Sequence, residues 1–114
     1  MKIKEVAQII GGKVVTGAEL LENEVNRGFA SDLMSDVLTL DSEELMLITG
    51  LANLQAIRTA EMSDISCIIF ARNKKVNTEM IQVAEESNIV LIECAGSVFK
   101  TAGVLYKAGI KPVF

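Results

Sequence analysis

The most regular pattern in the chain is a set of three uninterrupted apolar runs in its second half. They read LMLIT at 45–49, CIIFA at 67–71 and IVLIE at 89–93. Apolar runs of strand length that do not alternate with polar residues are typical of strands buried on both faces, as in a parallel sheet covered by helices. We therefore predict strands at 45–49, 65–71 and 89–93.

Residues between and after these runs follow a helical period instead. The apolar positions that share one face of each predicted helix are Leu54, Ile57 and Ala60, then Met80, Ile81 and Ala84, and finally Val98, Ala102 and Leu105. For the last helix, Ser97 is the predicted cap, and Gly109 followed by Pro112 predicts the end. The second half is thus predicted to alternate strand and helix.

The first third of the chain predicts shorter elements. Ile3, Val6, Ile9 and Ile10 recur at helical spacing and stop at Gly11-Gly12, where a glycine can end a helix in the left-handed conformation. Brief extended segments follow at 13–16 and at about 25–31, and they are candidates for antiparallel strands.

The stretch GFASDLMSDVL at 28–38 predicts another helix, with Ser31 or Asp32 as its cap. Leu33, Met34, Val37 and Leu38 would form the apolar face. A helix beginning here would place Asp32 and Asp36 on one face, because residues four apart are neighbours. These two carboxylates fit a cap with a solvated face, a ligand contact, or an acid–base or metal pair; no third ligand is evident, and no metal site is predicted.

Together these patterns predict one α/β domain covering residues 1–114, a three-layer α/β/α structure with a mostly parallel central sheet of about five strands. A chain of 114 residues is long enough for one hydrophobic core. Because half of its residues are apolar, self-association is also expected, and a two-fold homodimer is the commonest form.

Charge and composition exclude several kinds of partner. The net charge of −4 argues against nucleic acid, whose binding depends on clustered Lys and Arg. No apolar run approaches the length of a membrane span, so we expect a cytoplasmic protein without a membrane partner. Cys67 and Cys94 lie in apolar segments without metal-binding spacing, which indicates reduced, buried thiols.

The chain contains no histidine, and this excludes Ser-His-Asp triads, Cys-His dyads and His-ligated zinc. The segment GGKVVTG does not match the phosphate-binding loop, because Ala7 and Val14 stand where that pattern requires glycine and Ser or Thr. No strand is followed by the dinucleotide-binding glycine pattern either. We predict no cofactor, and the residue types present leave open chemistry on carboxylates, Lys, Cys or Tyr, or no chemistry at all.

Three loops are the strongest candidates for ligand contact, because ligands of parallel α/β sheets bind beyond the carboxyl ends of the strands. They are residues 49–53, 72–75 and 93–97. In the first, Gly50 allows close backbone approach and Asn53 can cap the next helix, whose N–H groups attract anions. An ordinary strand-to-helix turn also needs a small residue and a cap, so both interpretations stay open.

Two sequence blocks carry a family resemblance. Ala-Ser-Asp-Leu-Met-Ser-Asp at 30–36 and Thr-Gly-Leu-Ala-Asn-Leu-Gln at 49–55, continuing into Arg-Thr-Ala at 58–60, resemble small stand-alone DRTGG domains. The resemblance implies a fold related to the N-terminal domain of HPr kinase/phosphorylase. It also implies a regulatory or accessory role, because such domains accompany phosphotransacetylases and CBS-containing pyrophosphatases.

The resemblance implies that the matching positions form a ligand site. These positions are Ser31, Asp32, Thr49, Gly50, Asn53 and Gln55. The leading hypothesis is a non-catalytic regulatory module that binds a small anionic ligand, such as an adenine nucleotide, or a protein partner. The alternatives are a small enzyme using Asp32 and Asp36 and a purely structural dimeric adaptor.

Overall fold

A computed structural model describes all residues, 1–114. The helices are α1 Ile3–Ile10, α2 Met34–Val37, α3 Leu54–Met62, α4 Thr78–Glu86 and α5 Val98–Ala108. The strands are β1 Lys13–Thr16, β2 Arg27–Ala30, β3 Leu45–Thr49, β4 Cys67–Phe70, β5 Val90–Glu93 and β6 Lys111–Pro112. The predicted alternation of strand and helix in the second half is confirmed, with strand ends that differ from the predicted ones by at most two residues.

All six strands join in one sheet with the order β1-β5-β4-β3-β2-β6. The central pairs β5–β4, β4–β3 and β3–β2 are parallel, and β1 pairs with β5 in the antiparallel direction. The three apolar runs therefore lie side by side in one direction, and their carboxyl ends meet at one edge of the sheet.

Helices cover both faces of the sheet. Side chains of α2, α3 and α4 pack on one face against Leu47, Ile68 and Leu91, and this cluster includes the fully buried Phe70. Side chains of α1 and α5 pack on the other face against alternate residues of the same strands, such as Ile69. Successive side chains of a strand point to opposite faces, which is why each run had to be apolar throughout. The predicted three-layer fold is confirmed.

Helix α1 and strand β1 match their predictions, whereas β2, a candidate antiparallel strand, pairs with β3 in the parallel direction. Gly11 ends α1 in the left-handed conformation at φ 62°, and Gly17 follows β1 at φ 89°. Ile9, which was assigned to the buried face of α1, is instead 39% exposed, and Ala7 is buried. The residue spacing allowed either side chain to lie near the edge of the apolar face.

The predicted start of the helix at 31–32 is wrong. The helix α2 is a single turn that begins at Met34, its cap position is Leu33, and no side chain caps it. Met34 and Val37 are buried as expected, whereas Leu33 and Leu38 are exposed. Asp32 therefore precedes the helix, and the prediction that it shares a helical face with Asp36 is wrong as well.

The last strand, β6, was missed because Pro112 was interpreted only as a helix terminator. Residues Lys111 and Pro112 pair in parallel with Arg27 and Gly28 of β2 at the outer edge of the sheet. Proline lacks an N–H group and is tolerated at sheet edges. The side chain of Arg27 donates a hydrogen bond to the carbonyl of Pro112 at 3.0 Å, which attaches the C-terminal segment.

Candidate functional site

Asp32 is the centre of a small polar cluster at the carboxyl edge of the sheet. Its Oδ1 atom accepts a hydrogen bond from the hydroxyl of Thr49 at 3.0 Å and another from the backbone N–H of Gly50 at 2.7 Å. Asp32 follows β2, and Thr49 ends the neighbouring parallel strand β3. The carboxylate thus joins two strand ends, and its Oδ2 atom makes no hydrogen bond within the chain.

Thr49 positions the carboxylate of Asp32 at the end of β3. It is fully buried, and its hydroxyl accepts a hydrogen bond from the backbone N–H of Leu51 at 3.1 Å while it donates to Asp32. The hydroxyl of Thr49 therefore stabilises both the strand-to-helix turn and the position of the Asp32 carboxylate. A buried hydroxyl that is fully hydrogen-bonded stabilises the turn, whereas an unpaired one would be costly.

Arg72 brings a positive charge to the same place. Its Nη2 atom lies 3.5 Å from the carbonyl oxygen of Gly50. A Cβ atom added to Gly50 would lie only 2.6 Å from the Nε atom of Arg72, so the guanidinium group rests directly on the glycine. Arg72 is the first residue of the second candidate loop, 72–75, but the sequence did not indicate its contact with Gly50.

The backbone around Arg72 is held in an unusual conformation. Arg72 and Asn73 have φ angles of 61° and 58°, in the left-handed region that non-glycine residues rarely adopt. Their N–H groups donate to the carbonyls of Gly96 at 2.7 Å and Cys94 at 3.0 Å. These bonds attach the loop after β4 to the loop after β5, so all three candidate loops are in contact.

The remaining predicted site residues serve local structure or face solvent. The hydroxyl of Ser31 accepts a hydrogen bond from the N–H of Leu33 at 3.0 Å. Asn53 caps α3 by accepting from the N–H of Ala56 at 3.1 Å, as predicted. Gln55 is exposed and makes no hydrogen bond through its side chain. The structure thus brings together Asp32, Thr49 and Gly50.

Asp36 lies apart from this cluster. It is an exposed residue of α2, and only its backbone carbonyl takes part in a side-chain hydrogen bond, which the hydroxyl of Thr39 donates at 2.7 Å. Both aspartates of the segment 28–38 are exposed, but only the carboxylate of Asp32 forms hydrogen bonds with another strand end.

Glu93, the first residue of the candidate loop 93–97, is a further polar residue at the sheet edge, and its contacts were not predicted. It is 8% exposed, and its carboxylate accepts a hydrogen bond from the N–H of Val76 at 2.9 Å. Lys75 lies 3.7 Å from the same carboxylate. The sequence signal for Glu93 is a charged residue at the end of the apolar run 89–93. Glu93 fixes the position of the loop that carries Arg72.

The two cysteine thiols are buried, and no cluster of possible metal ligands is present. Cys67 and Cys94 are free and buried, as predicted, and burial raises the pKa of Cys67 to about 12. The structure contains no group of three or more acidic, cysteine or histidine residues able to hold a metal ion. No helix has both the length and the apolar character needed to cross a membrane.

Comparisons with known proteins give a family match and similar solved structures. A family model described as HPr Serine kinase N terminus matches residues 45–105, which run from β3 into α5. The crystal structure of the CBS and DRTGG domains of the regulatory region of Clostridium perfringens pyrophosphatase, complexed with the activator diadenosine tetraphosphate, superposes with a TM-score of 0.75 at 14% sequence identity.

That superposition covers 98% of this chain and 48% of the pyrophosphatase chain. The chain therefore spans about half of the length of the structure to which it is similar, and at this level of identity the likeness concerns the fold. No curated protein matches the sequence.

Proposed function

Because the chain belongs to the family of the HPr serine kinase N terminus, we propose that it is a non-catalytic regulatory module that binds a small anionic ligand. The family membership confirms the resemblance to DRTGG domains that the sequence blocks indicated. An adenine nucleotide is the proposed ligand class, and the ligand would report to a protein partner rather than undergo a reaction.

The observation that carries this proposal is that Arg72 and Asp32 both contact the backbone of Gly50. The guanidinium group of Arg72 can bind a phosphate in a bidentate manner. The Oδ2 atom of Asp32, which makes no hydrogen bond within the chain, can accept one from a ribose hydroxyl. A nucleotide carries both groups, whereas a simple anion would be repelled by the carboxylate.

The proposed ligand-binding residues are those of the sequence hypothesis with Arg72 added. Asp32 and Gly50 form the contact surface, and Thr49 positions Asp32 through the 3.0 Å hydrogen bond. Asn53 caps α3, whose first turn favours negative charge. Ser31 and Gln55 lie in the flanking segments and would touch only a ligand that extends beyond the central cluster.

The similar structure supports a regulatory role. In the Clostridium perfringens pyrophosphatase, a region that contains a DRTGG domain is regulatory and is complexed with a nucleotide activator. By analogy of fold, we propose that the present chain also responds to a nucleotide. The ligand of that enzyme is the first compound to test.

Thermal unfolding with a panel of adenine nucleotides, including diadenosine tetraphosphate, tests the proposal. Binding to the folded state raises the melting temperature, and the increase grows with the logarithm of the ligand excess. The increase should disappear in Arg72→Gln and persist in Lys74→Gln, which removes an exposed charge from the same loop. An unchanged melting temperature across the panel, or an equal increase in both variants, would contradict the proposed site.

A homodimer is the second part of the proposal. Phe99 and Tyr106 lie on α5 and are 89% and 67% exposed, which is unusual for large aromatic side chains on a small protein. A second copy of this chain would cover them. Sedimentation equilibrium over a hundredfold range of concentration should give a dimer mass, and a monomer mass throughout would exclude this part of the proposal.

The enzymatic alternative requires both aspartates to face one reacting group. Asp36 lies on α2 and Asp32 precedes that helix, and no hydrogen bond connects the two carboxylates. If any turnover of a bound nucleotide is detected, Asp36→Asn should leave its rate unchanged. Loss of turnover in Asp36→Asn would favour catalysis over regulation.

A further inference from the structure

A cavity of about 400 Å³ lies between α1 and α5, on the face of the sheet opposite to α3. Its lining comprises the end of α1, the residues after β5 and the first half of α5. The lining residues that matter for binding are Ile9, Ile10, Cys94, Lys100, Thr101 and Val104. Its volume falls in the range of small-molecule sites, about 300–1,000 Å³.

The buried part of the cavity is polar. Thr101 is 2% exposed, and its hydroxyl lies 3.5 Å from the Sγ atom of Cys94. The same sulfur lies 3.9 Å from the carbonyl oxygen of Ile10. A thiol is a weak hydrogen-bond partner, so the buried hydroxyl retains hydrogen-bonding capacity toward a molecule in the cavity.

The rest of the lining combines apolar walls with one charge. Ile9, Ile10 and Val104 supply hydrocarbon surface, and Ile9 stays 39% exposed although it belongs to an amphipathic helix. Lys100 is the only charged residue in the lining, and it forms no ion pair with another residue. No carboxylate lines the cavity, so its electrostatic character is positive.

We propose that this cavity is a second ligand site, which binds a small carboxylate with a short branched apolar chain. The ammonium group of Lys100 pairs with the carboxylate, the hydroxyl of Thr101 donates a hydrogen bond to it, and the hydrocarbon chain packs against Ile9, Ile10 and Val104. The lining contains none of Asp32, Gly50 and Arg72, so ligand contact here is distinct from contact at the proposed nucleotide site, although Cys94 and Gly96 also accept backbone hydrogen bonds from the Arg72 loop.

Amide chemical shifts on titration with isocaproate test this proposal, with isocaproamide as the neutral control of the same shape. Isocaproate should shift the amides of residues 8–11 and 94–104, and isocaproamide should bind more weakly. Equal shifts from both compounds, or shifts centred on the Arg72 loop, would overturn the assignment. Neither result bears on nucleotide binding at Asp32.

Two charge variants of α5 separate a specific contact from a general electrostatic effect. Lys100→Gln should weaken isocaproate binding about fivefold, as expected for loss of one exposed ion pair. Lys107→Gln removes the same charge from the last turn of the helix, outside the cavity lining, and should leave binding unchanged. Equal weakening in both variants would contradict a site beside Lys100.

The cysteines give an independent readout of occupancy. Cys94 lines the cavity and is 5% exposed, whereas Cys67 is fully buried and its pKa is raised to about 12. Iodoacetamide should therefore modify Cys94 faster than Cys67, and saturating isocaproate should slow the modification of Cys94. Full-rate modification of Cys94 at an isocaproate concentration that saturates the chemical shifts would place the ligand elsewhere and overturn the proposal.

Discussion

Asp32 and Asp36 show how far two residues in the same sequence context can differ. Each follows a serine and precedes an apolar residue, so local rules give them similar interpretations. Asp32 accepts hydrogen bonds from Thr49 and Gly50, which are distant in the sequence. Asp36 is solvated. Only the pairing of β2 with β3 distinguishes them, since it brings the end of one strand beside the end of the other.

Removal of each aspartate should therefore have a different effect on stability. We expect Asp32→Ala to lower the free energy of unfolding by about 1–3 kcal/mol, because hydrogen bonds to an ionised acceptor are lost and the donors of Thr49 and Gly50 lose their partner. Asp36→Ala, the matched control, should change it by less than about 0.5 kcal/mol. Urea denaturation at pH 7 measures both, and equal effects would show that the cluster contributes nothing to stability.

The buried thiol of Cys67 predicts that the free energy of unfolding falls with rising pH in alkali. Burial raises its pKa from 9.0 to about 12, so the folded state keeps the thiol neutral where the unfolded state ionises. The contribution of the neutral thiol to the free energy of unfolding is complete below about pH 9 and is lost as the pH rises toward 12. One pH unit above the unfolded pKa, the loss should be about 1.4 kcal/mol.

This effect is measured as a difference between variants, since other groups also titrate in alkali. Urea denaturation of the wild type and of Cys67→Ala should be compared at pH 8 and pH 10. The wild type should lose more stability over this interval than the variant. Equal losses of stability in the two proteins would mean that the Cys67 thiol ionises as readily in the folded state as in the unfolded state.

At the scale of elements, short-range signals were reliable where one residue controls a helix end. Asn53 and Ser97 cap α3 and α5 as predicted, because capping needs only a side-chain oxygen close to the first free N–H groups. Asn77 caps α4 in the same way. The exception is α2, where Asp32 is engaged by β3 and the helix begins without a cap. Asp32 forms hydrogen bonds to Thr49 and Gly50 instead of capping α2.

The caps can be tested against a surface residue of the same chain. Asn77→Ala and Ser97→Ala should each lower the free energy of unfolding by about 1 kcal/mol, because the N–H groups of Met80 and Lys100 lose their acceptors. Gln55→Ala, on the exposed side of α3, should change it by less than about 0.5 kcal/mol. Thermal or urea unfolding distinguishes the two groups, and an equally large effect of Gln55→Ala would contradict the interpretation.

At the scale of the whole molecule, the parallel centre of the sheet brings the functional loops together, and the antiparallel strand β1 packs closely beside it. A Cβ atom on Gly12 would lie 2.5 Å from Ile92, and one on Gly17 would lie 2.8 Å from Val90. Close packing of β1 on β5 thus depends on two glycines. The contacts of Arg72 with Gly50 and Gly96 then link the ends of the central strands.

Glycine substitutions test this packing. Gly17→Ala should lower the free energy of unfolding by about 1–3 kcal/mol, because alanine at φ 89° is strained and its Cβ atom meets Val90. Gly103→Ala should raise it by about 0.5–1 kcal/mol, because this exposed glycine lies within α5 and a Cβ atom there meets nothing within 4 Å. Stabilisation by both substitutions would exclude a close approach of β1 to β5.

The sequence by itself determined the three buried strands, the caps of α3 and α5 and the fold class, because apolar periodicity and capping are local properties of the chain. The resemblance of two sequence blocks to DRTGG domains also identified Asp32, Thr49 and Gly50 as candidates. Tertiary structure alone decided that Asp32 binds the Gly50 turn instead of capping α2, and that Arg72 rests on Gly50. Contacts between strand ends depend on strand order and register, which join residues far apart in sequence and leave no local pattern.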